Sequence, residues 1–173
     1  MSNPYVTLAR SAIQYQLSEG RLLPLPADTP ADLLKIRAGA FVTLYKAGKL
    51  RGCIGTITPV RPSLAQEIIH NAVASATEDP RFPPVQPQEL EDLVISVDVL
   101  GEPEPIDAME ALDPGRYGVI VTRGFRRGLL LPMLEGIDRA EEQVAMALQK
   151  AGIHPGQSYQ MERFEVVRYE EES

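Results

Sequence analysis

The single cysteine of the chain, Cys53, sits in the string Lys49-Leu50-Arg51-Gly52-Cys53-Ile54-Gly55-Thr56. A thiol becomes a nucleophile or an attachment point when a nearby cation favours its thiolate. Arg51 stands two residues before it, and residues two apart share a face in an extended strand. The flanking Gly52 and Gly55 mark a bulge or the close approach of another backbone or a ligand. The string therefore reads as a reactive or ligand-binding cysteine beside an anion-binding arginine. The plainer alternative is a buried cysteine acting as a small hydrophobe, with glycines serving tight packing and Arg51 solvated.

A second constellation is Glu78-Asp79-Pro80-Arg81-Phe82-Pro83-Pro84. Carboxylates at a helix C-terminus oppose the macrodipole, so Asp79 needs a cationic partner, which Arg81 or Arg51 can supply. Phe82 can wall a pocket; equally, Asp79-Pro80 can end the helix while Phe82 plugs the core. Tyr117, in Gly115-Arg116-Tyr117-Gly118, either presents its hydroxyl near a site or forms a core edge. His70 falls among apolar helical positions and reads as structural. The chain has no G-x-S-x-G elbow, no phosphate-cradling loop and no dinucleotide fingerprint. One cysteine and two distant histidines leave no disulfide, no expected metal centre and no expected cofactor.

The elements that must hold these residues follow from periodicity. Residues 5–17 carry Val6, Leu8, Ala9, Ala12, Ile13 and Leu17 at helical spacing. Residues 22–30 form a proline-rich extended connector. Strands are expected over 39–45 and 52–58, with Lys46-Ala47-Gly48-Lys49 as the turn. Ser63 caps a helix reaching Glu78, with Gln66 completing the box. Residues 93–100 alternate as a half-buried strand. Residues 117–122 and 129–131 flank a hairpin loop at Gly124-Phe125-Arg126-Arg127-Gly128. Asp138 and Glu141 open the last helix, Gly152 ends it, and residues 159–169 read as one closing strand before an acidic, frayed tail. Two hairpins and no regular βαβ alternation give an α+β fold with mainly antiparallel sheet.

With 173 residues, the chain fits one domain or two small lobes. Its net charge of −7 argues against a nucleic-acid binder, which needs a basic footprint. The charge is uneven, because the half carrying Arg51 and Cys53 holds the basic excess, which suits a local anion site. No apolar run reaches the length of a membrane span, and the cytoplasm is the expected compartment.

Leu50 to Thr56, with Gly39-Ala-Phe-Val-Thr-Leu44 before it and Asp79 to Val85 after it, resembles the AmmeMemoRadiSam system protein A (AMMECR-like) family. Leu8-Ala9-Arg10, residues 95–100, Gly118-Val-Ile120, Leu130-Leu131-Pro132 and Lys150-Ala151-Gly152 look like the remaining blocks, so the resemblance covers nearly all of residues 1–173. It implies a two-lobed α+β fold: a larger lobe holding both termini around an antiparallel sheet, and a smaller, helix-rich lobe inserted in it, with a cleft between. Arg51, Gly52, Cys53, Ile54, Gly55, Asp79, Arg81 and Phe82 match the motifs that carry the family's presumed cleft. The resemblance further implies an accessory or partner protein acting with a Memo-like protein and a radical-SAM protein, its cleft taking a small-molecule or peptide ligand. The alternative is a cysteine-dependent enzyme or thiol carrier using Cys53 activated by Arg51. Three positions depart from the pattern: Tyr117 where relatives carry histidine, Met133 where they carry a glutamine or glutamate, and Ile137 where many carry tryptophan.

Overall fold

The structure, a computed structural model, describes residues 3–134 and 136–171. In chain order its first elements are α1 (Pro4–Glu19), α2 (Ala31–Lys35), β1 (Ala40–Lys46), β2 (Lys49–Gly55), α3 (Leu64–Thr77) and β3 (Leu93–Leu100). They are followed by β4 (Glu104–Ile106), β5 (Gly118–Arg123), β6 (Arg126–Leu130), α4 (Ala140–Ala151), β7 (Gln160–Phe164) and β8 (Val166–Glu170). The chain divides into two compact units, the larger comprising residues 1–100 and 167–173, the smaller Gly101–Val166.

In the larger unit the sheet runs β2-β1-β3-β8, and β1 pairs antiparallel with both β2 and β3. One face of that sheet is the core. Alternation turns Ala40, Val42 and Leu44 of β1 and Ile95 and Val97 of β3 inward, against Ala9, Ala12 and Ile13 of α1 and Ile68, Ala72 and Ala76 of α3. The many alanines on both helices let them lie close to the sheet. Asn3 opens α1 by accepting the Tyr5 amide at 2.8 Å, with Pro4 pre-set for the first turn. Ser63 opens α3 by accepting the Gln66 amide at 3.3 Å. The return half of that box is replaced: the Ser63 hydroxyl donates to Gln66 Oε1.

The smaller unit is built on a second four-stranded sheet, β4-β7-β5-β6, with α4 against it around Val119, Val121, Leu130, Val144, Ala147 and Leu148. The resemblance implies a helix-rich lobe here; instead, prolines and glycines punctuate residues 101–136, and among the described residues of the unit one helix is longer than three residues.

Sequence expectations change at several points, among them the hairpin loop expected over 124–128, which narrows to Gly124-Phe125 because β6 begins at Arg126. The proline-rich connector leads into the short α2, whose Leu33 is buried. The second strand ends at Gly55 rather than residue 58, because Thr56 turns its hydroxyl to Glu67. Arg139, not Asp138, is the N-cap of α4, and it makes no side-chain cap. The closing strand is two strands divided at Glu165: β7 pairs with β4 and β5, whereas β8 joins the first sheet beside β3. Of the expected tail, Glu170 belongs to β8 and Glu171 bonds Arg10, while residues 172–173 lie outside the described residues.

Candidate functional site

The Cys53 strand, β2, is the edge of its sheet, and side chains from later in the chain occupy its outer side. The Cys53 amide donates to Asp79 Oδ2 at 3.0 Å, and Arg81 Nη2 reaches the Cys53 carbonyl at 3.5 Å. Arg81 also forks onto Asp79, with Nε on Oδ1 at 3.0 Å and Nη2 on Oδ2 at 2.8 Å. Asp79 thereby stands in for the carbonyl, and Arg81 for the amide, of a neighbouring strand that is not there. These donors hold the buried Asp79 carboxyl far below its usual range, with the Arg81 guanidinium the largest cause. Arg81 in turn lies over the Phe82 ring, 5.4 Å from its centroid.

The inner side of β2 is also remodelled. Ser75 of α3 inserts its hydroxyl between β1 and β2, accepting from the Ile54 amide at 2.8 Å and donating to the Val42 carbonyl at 2.6 Å. This insertion needs α3 to come very near the strand, and Gly52 permits it. A Cβ at Gly52 would lie 2.2 Å from the Ser75 carbonyl oxygen, and one at Gly55 would lie 2.3 Å from the Phe41 ring. The two glycines flanking Cys53 thus serve close approach.

Arg51 does not share the thiol's setting. The β1–β2 register shifts between Leu44 and Tyr45, so that Leu44 faces Gly52 while Tyr45 faces Leu50. Arg51 is the extra residue of a bulge, and the alternation that would align it with Cys53 is broken there. Its guanidinium is forked onto Glu89, Nε to Oε1 and Nη2 to Oε2, both at 3.1 Å. Lys46 adds a third cationic contact to Oε1 at 2.9 Å. Glu89 is held down to about 2, first by the Arg51 hydrogen bonds and then by the Gln86 amide. Arg51 Nη1, on the other side of the fork, is buried without a hydrogen-bond partner.

The half-buried thiol has the Thr43 hydroxyl 3.2 Å away, directly across on β1. Ser96 of β3 continues that row beyond Thr43. Nearby on β3, Asp98 is buried and receives the Arg168 fork at 2.7 and 3.0 Å, which raises the Arg168 pKa. Tyr45 is pushed up, chiefly by burial. Of the two histidines, His70 is on α3, where burial and then Arg61 lower its pKa, and His154 belongs to the smaller unit. Tyr117 also belongs to the smaller unit. There the guanidinium groups of Arg116 and Arg163 lie over its buried ring, 4.8 and 4.3 Å from the centroid.

Sequence reasoning overlooked Glu67, Ser75 and Glu89. Glu67 is fully buried and accepts from the Thr56 hydroxyl and from the amides of Val60 and Arg61, which fixes the loop leaving β2. Its signal was available: it follows Leu64 by three positions, on the apolar stripe of α3, where a lone carboxylate must have partners.

The molecule is a mixed α+β protein with two antiparallel sheets flanked by helices. The AMMECR1 family model matches residues 6–173, and the chain belongs to that family. A protein of Thermotoga maritima is 52% identical over 169 residues, spanning 96% of this chain and 97% of its own length. A protein of Clostridium acetobutylicum is 47% identical over 170 residues, 98% of this chain but only 36% of that longer protein. Among solved structures, the crystal structure of uncharacterized protein PH0010 from Pyrococcus horikoshii superposes with a TM-score of 0.90 at 39% identity, covering 97% of this chain and 90% of that one. No helix among the described residues is long and apolar enough to cross a membrane.

Proposed function

We propose that the chain is a cytoplasmic accessory protein of the AmmeMemoRadiSam system, acting by binding rather than by catalysis through the surface around Arg51, Cys53, Asp79 and Arg81. One observation carries this reading: the charged side chains of the motif are engaged with one another. Glu89 gathers Arg51 and Lys46, and Asp79 gathers Arg81 together with the Cys53 amide. Groups held in this way fix the shape of a strand edge; they do not form a poised acid–base pair. The Clostridium relative adds support, since the stretch matching this chain is joined there to a much longer polypeptide. The test is direct binding of the purified chain to a Memo-like protein and to a radical-SAM protein of the same genome, by calorimetry. Association that survives Cys53→Ser is expected; no association at micromolar concentration sinks the reading.

A second reading, thiol chemistry, is favoured by the half-buried Cys53 with the Thr43 hydroxyl at 3.2 Å. In that reading Thr43 orients the thiol and Arg81, rather than the Glu89-bound Arg51, is the cation beside it. The chain has one thiol, so alkylation against pH reports on it alone. A midpoint well below about 8.5 supports this chemistry, and labelling seen only after unfolding excludes it.

A further inference from the structure

The tip of the β5–β6 hairpin is an exposed, cationic surface, separate in sequence from the Cys53 motif. Strand β5 ends at Arg123 and β6 begins at Arg126, leaving Gly124 and Phe125 as the turn. Gly124 has φ 60 and Phe125 has no positive φ, the pattern of a II′ turn with glycine first. Phe125 is fully exposed and packs against nothing. Arg123 and Arg126 are directly opposite across the hairpin, where like charges repel.

That repulsion has been fixed in place rather than relieved. Arg123 Nη1 donates to the Ser158 carbonyl and hydroxyl, both at 2.8 Å. Arg126 Nη1 donates to the Gly152 carbonyl at 2.6 Å. Among the described residues, Nε and Nη2 of both guanidinium groups are left without a hydrogen bond. The smaller unit holds 11 Asp+Glu against 7 Lys+Arg. Yet residues 122–128 and 151–160, which form this end, contain no carboxylate. Glu162, the acid nearest in sequence, is 3.8 Å from Arg127, the next residue along the strand. A concavity of about 430 Å³ is lined by Arg123, Gly124, Phe125, Arg126 and Gln157. Two anchored cations with unused donors call for an oxyanion, and an uncovered ring beside them calls for a flat partner.

We propose that this hairpin tip binds a nucleoside phosphate, with the phosphate between the Arg123 and Arg126 guanidinium groups and the base stacked on Phe125. The overall charge of −7 disfavours a long duplex and leaves a free nucleotide or the end of a single strand as the source of that group.

The test is a titration of the full chain with inorganic phosphate, adenosine monophosphate, uridine monophosphate and a short oligothymidylate. It is followed by NMR at the arginine Nε–H and phenylalanine ring signals, at two salt concentrations. Mononucleotides are expected to bind about tenfold more tightly than phosphate, and more weakly at high salt. Phe125→Ala should remove that tenfold advantage and leave phosphate binding within about twofold. Arg123→Gln with Arg126→Gln should abolish both, while the far-ultraviolet dichroism stays unchanged. An oligothymidylate that outcompetes the mononucleotides identifies a strand end as the source. Nucleotides that bind no better than phosphate, or no shift at these signals with about 10 mM nucleotide, overturn the proposal.

Discussion

The two hairpins of this protein use the same means to opposite ends. Each has a two-residue turn containing glycine, Ala47-Gly48 in one and Gly124-Phe125 in the other. Each carries a trio of cations beside the turn: Lys46, Lys49 and Arg51, or Arg123, Arg126 and Arg127. In the β1–β2 hairpin, Glu89 draws in two of its three cations. In the β5–β6 hairpin, Arg123 and Arg126 are tethered to main-chain carbonyls, which hold a guanidinium without cancelling its charge. Cation content is therefore a poor guide to an anion site. What decides is whether the tethering acceptor is a carboxylate or a carbonyl.

Substitutions can break this contrast. The largest effect is expected from Gly52→Ala, because the new methyl meets main chain of α3 rather than a yielding side chain. It should destabilise by about 3 kcal/mol in urea unfolding. An unchanged midpoint would show that α3 is free to retreat. Next, Glu89→Ala leaves the Arg51 guanidinium largely buried without its counter-charge and should cost about 2 kcal/mol. The pH dependence carries the same information. Glu89 is depressed from 4.5 to about 2, so its contribution is complete above pH 4.5 and disappears as pH falls through about 2. A Glu89→Gln protein should have a flatter melting-temperature profile across that window, with the remaining slope coming from Asp79. Ala47 sits at φ 52, a conformation that disfavours a Cβ, and Ala47→Gly should stabilise by about 1 kcal/mol. Smallest of all, Phe125→Ala should change thermal stability by less than about 0.5 kcal/mol, since nothing packs on that ring. A large loss there would assign the tip to structure instead.

The sequence made these regions legible to different degrees. The strand at 93–100 and the stop at Gly152 were plain, because alternation and a left-handed helix end depend on local residues alone. That Asp79 needs a cation was legible too, since a carboxylate at a helix end calls for one, but the choice of Arg81 over Arg51 was not. The bulge at Arg51 was hidden, because a one-residue slip in register leaves no mark on a strand of two glycines and otherwise mixed polarity. The division at Glu165 was hidden for a related reason. Residues 159–169 suit an extended chain throughout, and which sheet each half joins is decided by partners far away in sequence. Glu89 looked like one acid among many, and its role depends on two cations roughly 40 residues earlier meeting it in space.

That return of the chain into its first sheet sets a timetable for biosynthesis. Asp98 is buried against a guanidinium that leaves the ribosome 70 residues later, and Arg10 waits still longer for Glu171. At about 5–20 residues per second, Asp98 is without its counter-ion for roughly 4–14 s. During that interval β3 has an open edge where β8 will lie. The fourth strand of the larger unit's sheet is thus synthesised only after the whole of the smaller unit has been made.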